Sequence, residues 1–448
     1  MASLLHRIWQ LLPYRLRRRV LLAASAALAP RCARQARGAG PVFIAGFFSA
    51  ASGLGELARL LYAAYEQQGA QVYGIDLSSP FRQGSDVRFD IRDGRAHRGE
   101  GTLILAVNAP FVALALMVLG RGFLAHKWRI GYWAWELPGL PREWRSGANL
   151  VNEIWAISSF SARAMEAGLG RPVRVVLPPV AKPRSPSSGA TSSTPTDSVD
   201  LTVLFAFNMA SSFARKNPLG AICAFISAFG HDSRVRLRVK IAHAHAFPPG
   251  LKAIHEACRG YHNIEVLAGS DPPAGLSDLL AQADVLLSLH RAEGLGLLFA
   301  QAMHLGKAIV ATGWSGNLDL LTEDNAFLVP ASLVPAHDPQ GTYDWPGMLW
   351  AEPSVEAAAA LLRKLRADPQ VRVRAGRAAR ADAERLFCRQ KLPVFPVAAA
   401  RRSAREPGPA RVQRVCRAMP QAGAEAAAEG KETASSLLPS GSRMNAPK

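Results

Sequence analysis

From Pro41 onward, short apolar runs alternate with longer stretches whose apolar residues recur at helical spacing. Val42–Phe47 predicts a strand, Ser49–Gly55 a small-residue loop, and Glu56–Gln68 a helix with Leu57, Leu60, Leu61 and Ala64 on one face. Val72–Ile75, ending at Asp76, predicts the next strand. Further strands are predicted over Leu103–Val107, Arg129–Trp133 and Glu153–Ile157. The apolar run Leu103–Leu119 is interrupted by Asn108 and Pro110, so it reads as a buried strand, a loop and a helix.

The pattern stops at Pro183–Asp200, a segment rich in Ser, Thr and Pro without apolar periodicity, and then restarts. Strands are predicted over Leu201–Phe207, Arg236–Ile241, Ile264–Leu267, Val285–Leu289 and Ala308–Thr312. Helices are predicted over Pro218–Phe229, Gly250–Arg259, Leu276–Ala283 and Leu297–Leu305. Strands alternating with helices imply parallel sheets covered on both faces, hence two Rossmann-like α/β domains facing across a cleft. The expected organisation is a basic segment over 1–40, a first domain over 41–182, a linker over 183–200 and a second domain over 201–387. From Cys388 the composition turns to Arg, Ala, Pro and Gly, and 388–448 reads as a disordered or frameshifted tail.

The net charge of +19 invites a nucleic-acid reading, but its distribution opposes one. Residues 1–38 hold eight arginines and no acid, and residues 389–448 hold eleven Lys and Arg against four Glu, which leaves only +4 for the body. No basic stripe with interleaved aromatics and no nucleic-acid motif accompanies it. Leu4, Ile8, Leu12, Leu16 and Val20 recur every four residues among arginines, as in an interfacial helix, although Pro13 interrupts it. A surface-lying or floppy N-terminus at the inner face of a membrane is expected ahead of a cleaved signal. Five scattered cysteines argue against a disulfide framework and fit a cytoplasmic protein.

The densest chemistry is Ser288-Leu-His-Arg-Ala-Glu293-Gly-Leu-Gly296, followed by a helix containing Gln301. Gly294 and Gly296 allow close backbone approach to a ligand, and the helix N-terminus beyond them suits a phosphate. Glu293 is placed to accept hydrogen bonds from sugar hydroxyls. Downstream, Gly313, Ser315, Gly316 and Asn317 follow another strand end, a second candidate for backbone binding of phosphate.

This stretch resembles the Glu-x7-Glu element of retaining glycosyltransferases of the family 4 type, which have the GT-B fold. The resemblance implies that Glu293 touches the donor sugar and that Gln301, standing where the family has a second Glu, meets the ribose. It further implies that Gly313–Asp319 cradles the nucleotide phosphates, and that Arg215 and Lys216, with Lys240 behind them, neutralise the leaving diphosphate. Gly131-Tyr-Trp133-Ala-Trp135-Glu136-Leu-Pro138 is similar to a Trp-x-x-Glu-Leu-Pro signature of one branch, and Asn108 and Pro110 also match it. Gly53, Gly55 and Glu56 resemble the family's glycine loop, so acceptor choice is expected around them and Glu136.

The resulting expectation is transfer of a sugar from a nucleoside diphosphate sugar to a glycan or lipid-linked acceptor with retention, in bacterial surface polysaccharide assembly. No cofactor and no metal are expected; His243 and His245 read as surface or cleft histidines. Two alternatives stand. One is a catalytically impaired relative that binds a sugar nucleotide or a partner, suggested by Gln301. The other is an NAD-dependent enzyme, since Gly53, Gly55 and Ala58 satisfy a dinucleotide fingerprint with Asp76 at the spacing of a ribose acid.

Overall fold

The structure is a computed structural model and describes residues 14–32, 38–84, 86–180, 199–269, 273–388 and 390–395. All of these lie in one unit spanning Met1–Ala399. The N-terminal half comprises α1 (Tyr14–Leu28), β1 (Val42–Gly46), α2 (Gly53–Gln67), β2 (Val72–Asp76), β3 (Gly101–Ala106), α3 (Ala109–Leu124) and β4 (Lys127–Trp133). It continues through α4 (Trp144–Ala148), β5 (Glu153–Ala156), α5 (Ser159–Leu169) and β6 (Arg174–Val175). The strands form a six-stranded sheet in the order β2-β1-β3-β4-β5-β6, parallel throughout.

The C-terminal half comprises β7 (Leu201–Asn208), α6 (Phe213–Lys216), α7 (Pro218–Phe229), β8 (Val235–Ala242), α8 (Pro248–Ala257), β9 (Ile264–Ala268) and α9 (Pro273–Gln282). Then come β10 (Val285–Ser288), α10 (Leu297–His304), β11 (Ala308–Thr312), β12 (Phe327–Val329), β13 (Ala331–Pro335), β14 (Leu349–Pro353), α11 (Val355–Ala367) and α12 (Pro369–Ala383). Its six-stranded sheet, in the order β12-β11-β10-β7-β8-β9, is also parallel. The antiparallel hairpin β13–β14 stands apart from it, and no periodicity in the sequence marks this hairpin.

Both faces of each sheet are buried, as expected for parallel strands flanked by helices. In β1, Val42 and Ile44 join one apolar layer while Phe43 and Ala45 join the opposite one. Alternate residues of β7 and β10 divide in the same way. One layer is shared by both halves: Ile44, Tyr132 and Trp155 cluster with Leu286, Phe299 and Ala311.

Both ends of the described chain pack against the body. Helix α1 buries Leu22 and Ser25 and lies against α3 and α4, and the chain beyond it is held by the Arg129 guanidinium, which donates to the Pro30 carbonyl at 2.6 Å. Leu4, Ile8 and Leu12 lie outside the described residues. The chain also crosses back to the N-terminal half after α12. Tyr65 donates to the Pro393 carbonyl at 3.0 Å, and Phe395 stacks on Trp155. Residues 181–198, which hold most of the expected linker 183–200, and the tail from 396 likewise lie outside the described residues. Among the described residues, no helix is long and apolar enough to cross a membrane.

Candidate functional site

Strand β10 delivers the site. Beyond its end His290 is enclosed, its Nε2 3.0 Å from Asn317 Oδ1 and its Nδ1 3.2 Å from Ser288 Oγ. Burial drives the His290 imidazole down to about 4, so it serves as a neutral hydrogen-bonding post. Glu293 follows. Its backbone N–H donates to Ser315 Oγ at 2.9 Å, and its carbonyl accepts from Gly316 N at 2.9 Å. The loops after β10 and β11 are thus sewn to one another. Asn317, fully buried, braces both: it donates to the Thr312 carbonyl and accepts from Ser315 Oγ on the β11 side, and its Oδ1 meets His290 Nε2 on the β10 side.

The Arg215-Lys216-Asn217-Pro218 segment meets Glu293 from the side. Asn217 takes a left-handed conformation (φ 51°), ends α6 and caps α7 by accepting from Gly220 N, with Pro218 at the first helical position. Its Nδ2 also donates to the Leu289 carbonyl at 2.9 Å, fixing the segment to the end of β10. Lys216 Nζ therefore donates directly to Glu293 Oε2, and Arg215 Nη1 lies 3.6 Å from the same oxygen. Burial alone would raise the Glu293 carboxyl, but the two cations outweigh it and hold the group near 2. An ionised carboxylate and two cations therefore share one enclosed site.

Glu136 reaches this cluster from the N-terminal half. Asn108 Oδ1 accepts from Ala134 N at 2.9 Å and pins the turn that carries it. Trp133 and Trp135 are buried and pack edge-on against Trp144, which makes them a packed aromatic turn rather than a stacking platform for sugar. The Glu136 carboxyl is raised from its ordinary value, chiefly by burial, with Arg215 opposing and Glu293 reinforcing. Gly294 lies close by: a methyl group there would meet the Ile157 side chain at 2.9 Å and Glu136 Cγ at 3.6 Å.

The other expected residues fall in distinct places. Gly313 N and Gly316 N already donate to the Val329 and Glu293 carbonyls, so in this structure the Gly313–Asp319 loop supports Glu293. Gly296 adopts φ 92° immediately before α10. Gln301 is half-buried in α10. Lys240 is buried in β8, with β7 between it and the strand leading to Glu293. Gly53 begins α2 and has no atom within 4 Å of where a methyl would sit, whereas at Gly55 a methyl would strike the Ala50 carbonyl oxygen at 2.3 Å. Glu56 is engaged by Arg59 at 2.8 Å, and the same guanidinium donates to the Phe48 and Ala50 carbonyls. Asp76 accepts from Ser78 N at 2.9 Å, from Ser78 Oγ at 2.6 Å and from Ser49 Oγ at 2.5 Å, so its oxygens are occupied in capping a loop. This opposes the ribose-acid role that the NAD reading required. His243 Nε2 lies 3.5 Å from Asp86 Oδ2. Among the described residues, no group of three or more His, Cys, Asp or Glu is arranged to hold a metal.

The sequence reading missed several residues that build the site. Arg291 clamps Glu352 of β14 at 2.6 and 3.0 Å and donates to the Ala214 carbonyl, tying the hairpin to the Arg215 segment. Asp338, Gln340 and Tyr343, between β13 and β14, contact that segment and Arg215 from above. Their stretch has no apolar periodicity, so only its lone buried aromatic could have drawn notice.

Residues 212–343, which contain this cluster, match the family model for glycosyl transferases, group 1. Comparison of the sequence with curated proteins finds no match. Among solved structures, HepE of Anabaena in complex with UDP-glucose is 14% identical over 77% of this chain and 95% of its own, with a TM-score of 0.53. HepE with UDP and glucose gives 13% identity over 77% and 95%, at a TM-score of 0.52. A glycosyltransferase from Rickettsia africae ESF-5 is 12% identical over 77% of this chain and 93% of its own, with a TM-score of 0.52. Identities this low speak to the fold, and the two six-stranded parallel sheets match the GT-B architecture. The GT-B fold and the group 1 match across the Glu293 site together support a glycosyltransferase.

Proposed function

We propose that the chain transfers a sugar from a nucleoside diphosphate sugar to a glycan or lipid-linked acceptor, with retention at the anomeric carbon. The observation that carries this reading is the enclosed triad of Glu293, Lys216 and Arg215. A carboxylate held ionised accepts hydrogen bonds from sugar hydroxyls, and the two cations beside it stabilise the charge that builds on a departing diphosphate. Lys216 exchanges its Glu293 partner for phosphate oxygen when the donor enters. The departing phosphate assists removal of the acceptor proton, so no protein nucleophile is invoked. HepE was solved with UDP and with UDP-glucose, which favours a uridine nucleotide as the first donor to try.

In this reading residues 201–387 bind the donor and residues 41–182 the acceptor. A role in bacterial surface polysaccharide assembly, at the inner face of the membrane, is supported by the arginine-rich N-terminus and by Val20, Leu21 and Leu28, which α1 leaves exposed. The binder alternative rests on Gln301, whose neutral amide gives ribose a weaker hydrogen bond than a carboxylate.

Purified protein titrated with UDP-, GDP- and ADP-sugars, followed by thermal shift and by nucleotide release, tests the proposal. Turnover with one of them is expected, together with stronger binding in Gln301→Glu. Stabilisation without turnover that is unchanged by Gln301→Glu favours the binder, and stabilisation by NAD alone overturns both readings.

A further inference from the structure

Arg215 and Lys216 stand on a helix of a single turn, α6, which is too short to hold itself together. The residues on either side of it, Ser212 and Asn217, have positive φ (73° and 51°), a conformation that persists in non-glycine residues only where the surroundings fix it. Much of that support comes from the hairpin β13–β14. Its tip holds the start of the turn: Asp338 accepts from Ser212 Oγ at 2.9 Å, and Gln340 accepts from Phe213 N at 2.6 Å and donates to the Met209 carbonyl at 3.0 Å. Its second strand holds the rest through Arg291. Ala351 N donates to the Arg291 carbonyl at 2.9 Å, and the period of two along β14 turns Trp350 and Glu352 to one face, where both meet the Arg291 guanidinium. Glu352 accepts from Nε and Nη2 at 2.6 and 3.0 Å, and the Trp350 ring centroid lies 5.7 Å from Cζ. From this fork Nη1 donates to the Ala214 carbonyl at 2.6 Å, while Arg291 N donates to the Arg215 carbonyl at 2.7 Å. Arg215 Nη1 donates in the other direction, to the Ala292 carbonyl at 2.8 Å.

We propose that Arg291 is a positioning residue: clamped by Glu352, it holds the Ala214–Arg215 backbone against the loop after β10 and so sets the Arg215 guanidinium beside Glu293. The side-chain chemistry suits this task. Two parallel bonds to one carboxylate fix the plane of a guanidinium, and the third nitrogen then points at a single carbonyl. All three nitrogens of Arg291 are engaged within the protein in this way, so its effect on a ligand runs through Arg215. An ammonium at the same place keeps the charge but cannot grip Glu352 in two parallel bonds and reach the Ala214 carbonyl with a fixed third donor. The hairpin, which no sequence pattern announces, thereby becomes part of the machinery that places the cations.

Only the nucleotide arm of the test rests on the function proposed above. In the free protein, hydrogen exchange at the backbone amide of residue 291 reads its bond to the Arg215 carbonyl. Arg291→Lys is expected to speed that exchange at least about tenfold, while the amide of Leu286, inside β10, keeps its wild-type protection. Glu352→Gln, which leaves residue 291 in place and removes the charge of its clamp, is expected to act in the same direction and less strongly. Unchanged exchange at residue 291 in a folded Arg291→Lys protein overturns the proposal, whether or not any nucleotide binds. Equal acceleration at residue 291 and at Leu286 also overturns it, because the side chain then supports the fold as a whole. UDP affinity is expected to fall about tenfold in Arg291→Lys, and to fall no further when that change is added to Arg215→Met. Additive losses in the double variant overturn action through Arg215. If the wild-type protein binds no sugar nucleotide, the donor reading alone fails and the exchange measurement decides this one.

Discussion

The carboxylate of Asp319, at the end of the loop after β11, caps a helix in the other half of the molecule: it accepts from Ser159 N at 2.6 Å and from Ser159 Oγ at 2.5 Å. Ser159 begins α5, so a negative charge sits where the helix presents free N–H groups and its partial positive charge. The bond also anchors the loop that supports Glu293. Asp319→Ala is expected to lower stability by about 2 kcal/mol, the scale of a charge-assisted hydrogen bond at a helix terminus. Urea unfolding measures this. A loss under about 0.5 kcal/mol would mean that the contact is solvent-compensated.

Replacing Glu293 should separate binding from turnover. Glu293→Gln keeps the shape and one acceptor but removes the charge that Lys216 and Arg215 enclose. The rate constant for sugar transfer is expected to fall by about a hundredfold, with a smaller change in donor KM.

The same substitution has a pH signature. The folded carboxyl titrates near 2 against an ordinary value of 4.5, so it contributes stability that is fully present above 4.5 and lost as the pH falls toward 2. Glu293→Gln should flatten that part of the acid unfolding curve. An acid limb identical to wild type would show that the carboxylate is not held by its cations.

Much of the fold was legible because buried parallel strands announce themselves as short apolar runs. Val42–Phe47, Leu201–Phe207 and Val285–Leu289 each fall within a residue or two of the strands observed. Glu293, Lys216 and Arg215 stand out through the motifs that contain them, and the structure brings all three together. What stayed hidden is held by contacts between segments far apart in sequence. Asp319 meets Ser159 across 160 residues, and Ser212 meets Asp338 across 126. Neither pair leaves a periodic trace. Glu136 was expected on the acceptor side because it belongs to the N-terminal half, but its surroundings of Arg215, Tyr343 and Glu293 depend on how the two halves pack. Glu56 was legible as the start of a helix; its capture by Arg59, three residues on, is local and could have been read from helix spacing.

Lys127 offers a test away from the site. It is buried, donates to the Gly99 carbonyl at 2.6 Å, and lies 4.6 Å from the Phe43 ring centroid and 4.9 Å from that of Phe123. Burial pulls its ammonium down from 10.5 to about 8, with Arg98 adding to the effect. The folded state therefore holds fewer protons than the unfolded state between those values, and stability should rise as the pH increases from about 8 to 10.5. Lys127→Met should abolish that rise and leave neutral-pH stability equal or higher, since an apolar side chain escapes the desolvation cost. Melting temperature against pH reads both effects, and a large destabilisation at pH 7 would show that the Gly99 bond and the aromatic contacts outweigh burial of the charge.

Gly316 is the point where close approach of the two halves meets the chemistry. A methyl group there would lie 2.0 Å from the Gly294 carbonyl oxygen and 2.8 Å from Ser158 Oγ, so either the loop after β10 or the start of α5 must give way. Both partners are backbone or short side chains with little freedom to move. Gly316→Ala should therefore displace the loop carrying Glu293, because Gly316 N donates to the Glu293 carbonyl. The expected outcome is a folded protein destabilised by about 2 kcal/mol whose donor affinity falls at least about tenfold. Gly53→Ala is the matched control: a methyl group there would have no atom within 4 Å, so a glycine-to-alanine change in α2 should leave the fold intact. If Gly316→Ala binds donor as tightly as wild type, the loops after β10 and β11 are not coupled in the way their hydrogen bonds imply.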